Sequence, residues 1–341
     1  MKIQEVARRA RVSTATVSRT INNPSLVNPQ TAKRVWKAIE QLGYYPNTQA
    51  RALVSGRSRI LGLIVSDITN PFFPELIKGF EDVAIQNGYE ILVSSTNYDA
   101  ARMALCVRRM LERKVDGVAI MTAEMAKHLV DKLAHRNVPM VFLDVGTPGR
   151  GVAIVKVDYA MGINEAMDHL LSMGHRRIGF VSGPLTLKSA RIRRSAFLRA
   201  LAGYGIGQDQ RLVEEGDYTV DGGLRAMTRM LESGSSPTAV LGSNDLTAIG
   251  VMRAVRRAGL SVPRDISVVG FDDIRLAEFT EPPLTTVRLL RTELAKHAFH
   301  ALIAAGEKPD ARPKAGPMVE THLVIRETTC PAPRSGPEHR P

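Results

Sequence analysis

Apolar residues recur with two periods along this chain, and the period changes near residue 60. Before that point the spacing is helical. Val6 and Ala10 lie four apart in a first helix over about Gln4–Arg9, and Val17 and Ile21 lie four apart in a second. Val35, Ile39 and Leu42 share one face of a third, which Gly43 stops. Ser13 stands where the second helix needs an N-cap, and Asn22–Pro24 breaks the chain before the third. Short helices joined by the tight connection "ARVS" predict a helix-turn-helix unit over residues 1–45. Trp36, the only tryptophan, lies beside the apolar face of the third helix and is expected to pack there. The next stretch, "PNTQARALVSGRSR", is polar and basic. It reads as a linker over 46–59, within which "TQARAL" has the composition for a turn or two of helix.

From Ile60 the apolar runs become short, β-branched and nearly continuous: "RILGLIVSD", "YEILVSST", "DGVAIMT", "PMVFLDV" and "VAIVKVD". They alternate with helical stretches such as "FFPELIKGFEDVAIQNG" and "RMALCVRRMLERK". That alternation predicts an α/β fold with parallel sheets flanked by helices on both faces. The pattern restarts at "RRIGFVSGP" and runs through "TAVLGSND" and "ISVVGFDD", so the 60–329 core is expected to have two similar lobes. A cleft between such lobes is where small ligands bind. From Cys330 the segment "CPAPRSGPEHRP" is Pro-rich and polar, and a disordered tail over 330–341 is expected.

Composition narrows the class. A chain of 341 residues with 44% hydrophobic content holds two or three domains with a real core. Cys106 and Cys330 form neither a disulfide framework nor a metal-ligand spacing; one buried thiol and one in the tail are expected. With no apolar leader at the N-terminus and no run of the ~20 apolar residues a membrane span requires, a cytoplasmic protein is expected. Charge changes the picture more. Residues 1–60 hold eleven lysines and arginines against Glu5 and Glu40, a net +9, whereas the other 281 residues carry only the remaining +3 of the chain's +12. A basic small unit on a nearly neutral large one points to a polyanion-binding head.

The second helix then acquires a purpose. "VSTATVSRTIN" is rich in Ser and Thr, which form helices only moderately well. Their hydroxyls bond phosphates or bases, a Thr methyl touches a thymine methyl, and Arg19 can grip guanine with two hydrogen bonds. Thr14, Ala15 and Ser18 share the face left exposed when Val17 and Ile21 turn inward.

These motifs carry a resemblance. "IQEVARRARVSTATVSRTIN", "VNPQTAKRVWKAIEQLGYYPN" and "ARAL", followed by "LGLIVSDITNPFFPELIKGFED", "RKVDGVAIM", "GHRRIGFVSG", "PTAVLGSNDLTAIGVMRAVRRAGLSVPRDISVVGFDD" and "PPLTTVR", resemble the lactose-repressor/galactose-repressor family of transcriptional regulators over roughly residues 2–329. The resemblance implies a helix-turn-helix head, a hinge helix and a two-lobed core similar to periplasmic sugar-binding proteins. It implies base reading by Thr14, Ala15 and Arg19, and phosphate-side or groove-edge contacts by Thr16, Ser18, Asn22, Asn28 and Thr31. Tyr44 and Asn47 match backbone and hinge contacts, and Leu53 matches a leucine wedged into the minor groove at the operator centre. Positions 14 and 15 often carry larger, more polar residues in the family, so Thr14 and Ala15 are expected to read by methyl contact and shape. Arg11 replaces a residue that is commonly small.

The resemblance also assigns an effector cleft to Ser66, Phe72, Phe73, Asp144, Ser189, Arg193, Tyr218, Asn244 and Asp272. Their chemistry suits a sugar: carboxylates accept from hydroxyls, Arg193 and Asn244 donate, and aromatic rings stack on apolar faces. An Arg193–Asp272 ion pair and a core role for Phe73 compete with this reading. Asp67 and Asp158 are read as caps, and His175 as a loop or capping residue. Leu187 replaces an arginine of the nucleobase-binding branch. Two acids and one clear arginine lean toward a neutral sugar, while Lys188, Arg191 and Arg194 keep sugar acids open.

The expected protein is a homodimeric, ligand-responsive repressor that binds a pseudo-palindromic DNA operator and needs no metal or cofactor. A transport-class sugar-binding protein is the alternative, opposed by the basic head. An α/β enzyme is opposed by the absence of G-x-G-x-x-G after a strand, of G-x-x-x-x-G-K-[ST] and of G-x-S-x-G.

Overall fold

A computed structural model of the chain describes residues 2–45, 56–122, 125–144, 146, 148–234, 236–309 and 316–333. The chain divides into two compact units, with the boundary in sequence between Ser58 and Arg59.

In the first unit, α1 (Ile3–Ala10), α2 (Thr14–Asn22) and α3 (Pro29–Leu42) surround a small core of Val6, Ala7, Ala10, Val17, Val35 and Ala38. Ser13 caps α2 as expected, its Oγ accepting from the Thr16 amide at 3.1 Å. Asn28 caps α3 by accepting from the Gln30 amide at 2.9 Å, with Pro29 in the first turn where its missing N–H costs nothing. Gly43, at φ +55°, ends α3 in the left-handed conformation. Thr20 is wholly buried because its hydroxyl is satisfied by the Thr16 carbonyl at 2.8 Å. Trp36 does not pack as expected. It is 46% exposed because the apolar face of α3 is already filled by Val35, Ala38, Ile39 and Leu42.

The second unit is two lobes, each a six-stranded sheet. The strands of lobe 1 are β1 (Ile60–Val65), β2 (Glu90–Ser95), β3 (Gly117–Met121), β4 (Met140–Leu143), β5 (Val152–Val157) and β11 (Met318–Val319), in the order β11-β5-β4-β3-β1-β2. Every pairing in this sheet is parallel. Lobe 2 holds β6 (Ile178–Ser182), β7 (Val213–Glu215), β8 (Ala239–Gly242), β9 (Ser267–Asp272), β10 (Thr285–Leu289) and β12 (Thr321–Val324), in the order β12-β10-β9-β8-β6-β7. There, β12 runs antiparallel to β10 and the other pairs are parallel. The central strands are almost entirely buried, as parallel strands covered on both faces must be.

Helices α4 (Phe72–Gln86), α5 (Ala100–Glu112) and α6 (Lys127–His135) belong to lobe 1, and α7 (Tyr159–Ser172), α8 (Lys188–Gly203), α9 (Val220–Glu232) and α10 (Asp245–Arg257) to lobe 2. The last helix, α11 (Arg291–Glu307), follows a lobe 2 strand yet packs on α4 and on β3–β5 of lobe 1. The chain therefore crosses between lobes three times: after β5, after β10 and between β11 and β12.

One local expectation needs revision and two hold. The chain stays packed beyond residue 329: the Cys330 amide donates to Ser267 Oγ at 3.1 Å and the Ala332 amide to the Met173 carbonyl at 2.9 Å. Backbone groups hydrogen-bonded to the start of β9 and to the end of α7 cannot be a free tail; residues 334–341 lie outside the described residues. His175 lies, as expected, in the loop between α7 and β6, where it is fully buried, with its ring nitrogens bonded to Thr238 Oγ1 and to the Cys330 carbonyl, each at 2.9 Å. Asp67 and Asp158 cap as expected, bonding the Thr69 and Met161 amides.

Candidate functional site

On the head, α2 turns Val17 and Thr20 inward and leaves Thr14, Ala15 and Arg19 on its exposed side. Asn22 and Asn28 are also exposed, and Thr16, Ser18, Thr31 and Tyr44 are half-buried. Several of these polar groups are already engaged. Thr16 Oγ1 lies 2.9 Å from Ser13 Oγ, Ser18 Oγ accepts from Asn22 Nδ2 at 3.2 Å, and Asn28 Oδ1 caps α3. Tyr44 packs against the head core. Arg19 alone brings a charge to this face of α2, at its C-terminal end where a cation suits the helix dipole. Asn47 and Leu53 lie outside the described residues.

In the core, all nine cleft residues named from the sequence line one cavity between the lobes, about 730 Å³ including the part open to solvent. Strand ends supply the polar groups. Ser66 follows β1, Asp144 follows β4, Asn244 follows β8 and caps α10, and Asp272 ends β9. Helix N-termini supply most of the rest: Phe72 and Phe73 open α4 and stack edge to face at 5.2 Å between ring centres, while Ser189 opens α8. Phe73 is thus both buried and cavity-lining.

Arg193 is the central cation. It is 7% exposed and lies 3.5 Å from Asp272 Oδ1 through Nη2, while its Nη1 donates to the Ser243 carbonyl. Its guanidinium stacks over Phe271 at 4.3 Å and Tyr159 at 4.7 Å, a cation–π setting that holds the fork in one plane. The ion pair thus lies within the cavity lining itself. Burial pushes the Asp272 carboxyl up to about 6, although Arg193 and Arg291 pull the other way. Burial likewise raises Asp144, opposed by the Tyr159 hydroxyl, which donates to its Oδ2 at 2.5 Å, and by the Val157 amide on Oδ1 at 2.8 Å. Tyr98, Asp144, Tyr218 and Asp272 all have positive φ, at 58°, 58°, 66° and 111°. Such backbone costs on the order of 1–3 kcal/mol per residue and gathers where a site is over-determined by its surroundings.

Sequence reasoning missed Asn70, Tyr98, Thr122 and Tyr159 in the lining. Thr122 follows β3 as Ser66 follows β1, and their hydroxyls bond at 2.7 Å, so the strand-end rule already applied would have found it. Tyr159 hides as the first residue of α7, and no pattern in the sequence marks Tyr98. Lys188 lines the cavity, but Arg191 turns away to the Leu185 and Thr186 carbonyls. Among the described residues, no group of His, Cys, Asp and Glu has a metal-binding arrangement, and no helix is long and apolar enough to cross a membrane.

The cavity has hydrogen-bond acceptors, donors and ring faces converging on one space. It has the chemistry to hold a hydroxyl-rich molecule. Comparison with known proteins fits both ends of the chain. A family model for bacterial regulatory proteins of the lacI family matches residues 2–47, and one for a periplasmic binding protein-like domain matches 167–329. The HTH-type transcriptional repressor CytR of Escherichia coli K12 is 32% identical over 333 residues, 97% of each chain. A lac repressor dimer bound to operator and the anti-inducer ONPF superposes with a TM-score of 0.84 at 29% identity, covering 97% of this chain and 99% of the other. A complex of the transcriptional regulator CelR with cellobiose gives a TM-score of 0.73 at 29% identity, covering 96% and 99%.

Proposed function

The chain belongs to the lacI family of bacterial regulatory proteins, and we propose that residues 1–45 are its operator-reading head, 46–59 its hinge and 60–329 its effector-binding and dimerisation core. It is a DNA-binding transcriptional repressor modulated by a small molecule, and it is not an enzyme. The transport-class alternative is not favoured, because the segment that matches the regulatory family is the basic head itself. It acts as a homodimer on a DNA operator, with a sugar or sugar derivative as effector. We place it in the cytoplasm, where its DNA is.

Each head of the dimer reads one half of a pseudo-palindrome. Thr14, Ala15 and Arg19 face base edges, with Arg19 giving the charged, two-pronged contact; Thr16, Ser18, Asn22, Asn28, Thr31 and Tyr44 position the helix on the backbone. Asn47 and Leu53 complete the contacts through the hinge. In the core, Asp144 and Asp272 accept from effector hydroxyls, Arg193, Asn244, Ser66 and Ser189 orient them, and Phe72, Phe73 and Tyr218 cover apolar ring faces. An effector that binds one lobe arrangement better than another shifts the population between them. Effector and operator then alter each other's affinity by the same factor.

The observation that supports this reading most directly is the convergence of the nine cleft residues on one cavity around Arg193. Its test is a thermal-shift screen of the purified chain against sugars, sugar acids, sugar phosphates and nucleobases. A ligand at 100 times its Kd stabilises by about 2.7 kcal/mol, a readily visible shift. Arg193→Lys keeps the charge and loses the planar fork, so it should weaken the hit while sparing DNA binding by the unliganded protein. Equal affinity of both proteins for the hit would remove Arg193 from the effector site.

A further inference from the structure

Asp272 faces two ways. Its carboxylate lines the effector cleft, while its carbonyl accepts from Arg291 Nη1, a residue outside the cleft lining. Arg291 Nη2 also donates to the Asp273 carbonyl at 2.8 Å. The same guanidinium pairs with Glu75 of α4, Nε at 2.8 Å and Nη2 at 2.6 Å from Oε2. Arg291 begins α11, which belongs to lobe 1 with α4, whereas the 272–273 peptide belongs to lobe 2. One partly buried cation therefore holds a lobe 2 turn from lobe 1.

The grip is built on a stiff base. At Gly79 of α4, an added Cβ would lie 3.2 Å from Ala295 Cβ of α11, so these two helices approach as closely as a missing side chain allows. Glu75 is one helical turn from Gly79, and Phe72 and Phe73, which line the cleft, lie on the turn before that. The gripped turn has unusual backbone, with φ +111° at Asp272 and +54° at Asp273. Other ties hold it within lobe 2: Arg288 and Arg326 pair with the Asp273 carboxylate at 2.6 and 2.7 Å, and Asp245 Oδ2 accepts from the Ile274 amide at 2.8 Å.

We infer that Arg291 is a cross-lobe positioning residue: by holding the 272–273 backbone from lobe 1, it sets the aim of the Asp272 carboxylate in the effector cleft and ties effector contact at Asp272 to α4. This rests on the cleft being the effector site. Lobe 2 alone leaves the carbonyl side of this turn without the grip, so separating the lobes changes the geometry that an effector meets.

The test compares wild type with Arg291→Met, Arg291→Lys and Glu75→Gln, each with and without Asp272→Asn. The charges acting on the Asp272 carboxyl are Arg193 from α8 and Arg291 from α11, and its own charge raises Asp245 of α10 and the nearby Tyr98 and Tyr218. Its folded value of about 6 lies above the unfolded one, so its contribution to stability is full at low pH and is lost as pH rises through about 6. Without the Arg291 charge that loss must extend to higher pH, and Asp272→Asn must abolish the extension. Urea unfolding between about pH 4 and about pH 8 reads both. Arg291→Lys retains the charge and hence the profile, but hydrogen exchange across residues 270–276 should quicken several-fold. A stability loss uniform in pH and unchanged by Asp272→Asn would overturn the inference, as would unaltered exchange in all three variants.

Binding of D-glucose, D-ribose, D-gluconate and D-glucose 6-phosphate separates the two levels of interpretation. A polyol bound about tenfold more weakly by Arg291→Met than by wild type supports the positioning role. Equal binding by both refutes that role and leaves the cleft as effector site. If none of the four stabilises any variant, the sugar reading of the cleft falls and the inference falls with it.

Discussion

At the scale of single residues, function turns on a few charges whose surroundings are unequal. Arg19 has the exposed edge of a short helix to itself, so Arg19→Ala should cost about 1–3 kcal/mol at one base position and leave effector affinity unchanged. Fluorescence anisotropy on a duplex selected in vitro by the wild type measures it. Tyr159 is the opposite case, a hydroxyl committed inside the protein to Asp144 Oδ2. Tyr159→Phe removes a hydrogen bond to an ionised group, worth about 1.5–3 kcal/mol. Because that bond favours the ionised carboxyl, the cost should be full where Asp144 is charged and should fade as pH falls and the carboxyl protonates. Urea midpoints on both sides of that titration check the sign. Places in the cavity lining were legible in the sequence where they depend on position in a repeated pattern: Ser66, Asp144, Asn244 and Asp272 all lie at or beside strand ends. They were illegible where the partner is remote. Glu75 and Arg291 are 216 residues apart, and nothing local to either announces the other. The burial of His175 in its loop was illegible for the same reason, since one of its acceptors is the carbonyl of Cys330.

At the scale of elements, the chain's caps and close contacts set what can be changed. Ser13 caps α2 but is not among the residues assigned to base reading. Ser13→Ala should cost about 1 kcal/mol of stability. The salt dependence of DNA binding should stay the same, which thermal unfolding and a salt titration test together. Gly79→Val places a branched side chain against Ala295 and should cost about 1–3 kcal/mol by overpacking, seen as a lower urea midpoint. The strands named from apolar runs are all present, because parallel strands buried on both faces leave the plainest sequence trace. The short β7, β11 and β12 leave almost none: three, two and four residues at the sheet margins are too few for any period to show. Trp36 failed as an element-level reading because adjacency to an apolar face is one residue short of membership in it.

At the scale of the whole molecule, charge separates the two binding partners. The first 60 residues carry +9 and the rest +3, so DNA binding should be strongly salt-dependent. If six to ten phosphates are neutralised, affinity should drop by roughly 10³–10⁵ between about 50 and 200 mM salt. Effector binding in the core should change far less over that range, and parallel titrations of both ligands decide whether it does. The three crossings between lobes also bear on how the protein is made. Neither lobe is complete until late in the sequence: lobe 1 needs α11 and β11, and lobe 2 needs β12. The head, by contrast, has its whole small core within the first 45 residues. A ribosome that stops early thus releases a formed DNA-reading module attached to two open sheets, whose uncovered apolar faces favour aggregation. The last thirty-odd described residues therefore act as a completeness check on the regulator, since a chain lacking them has nothing to close its lobes.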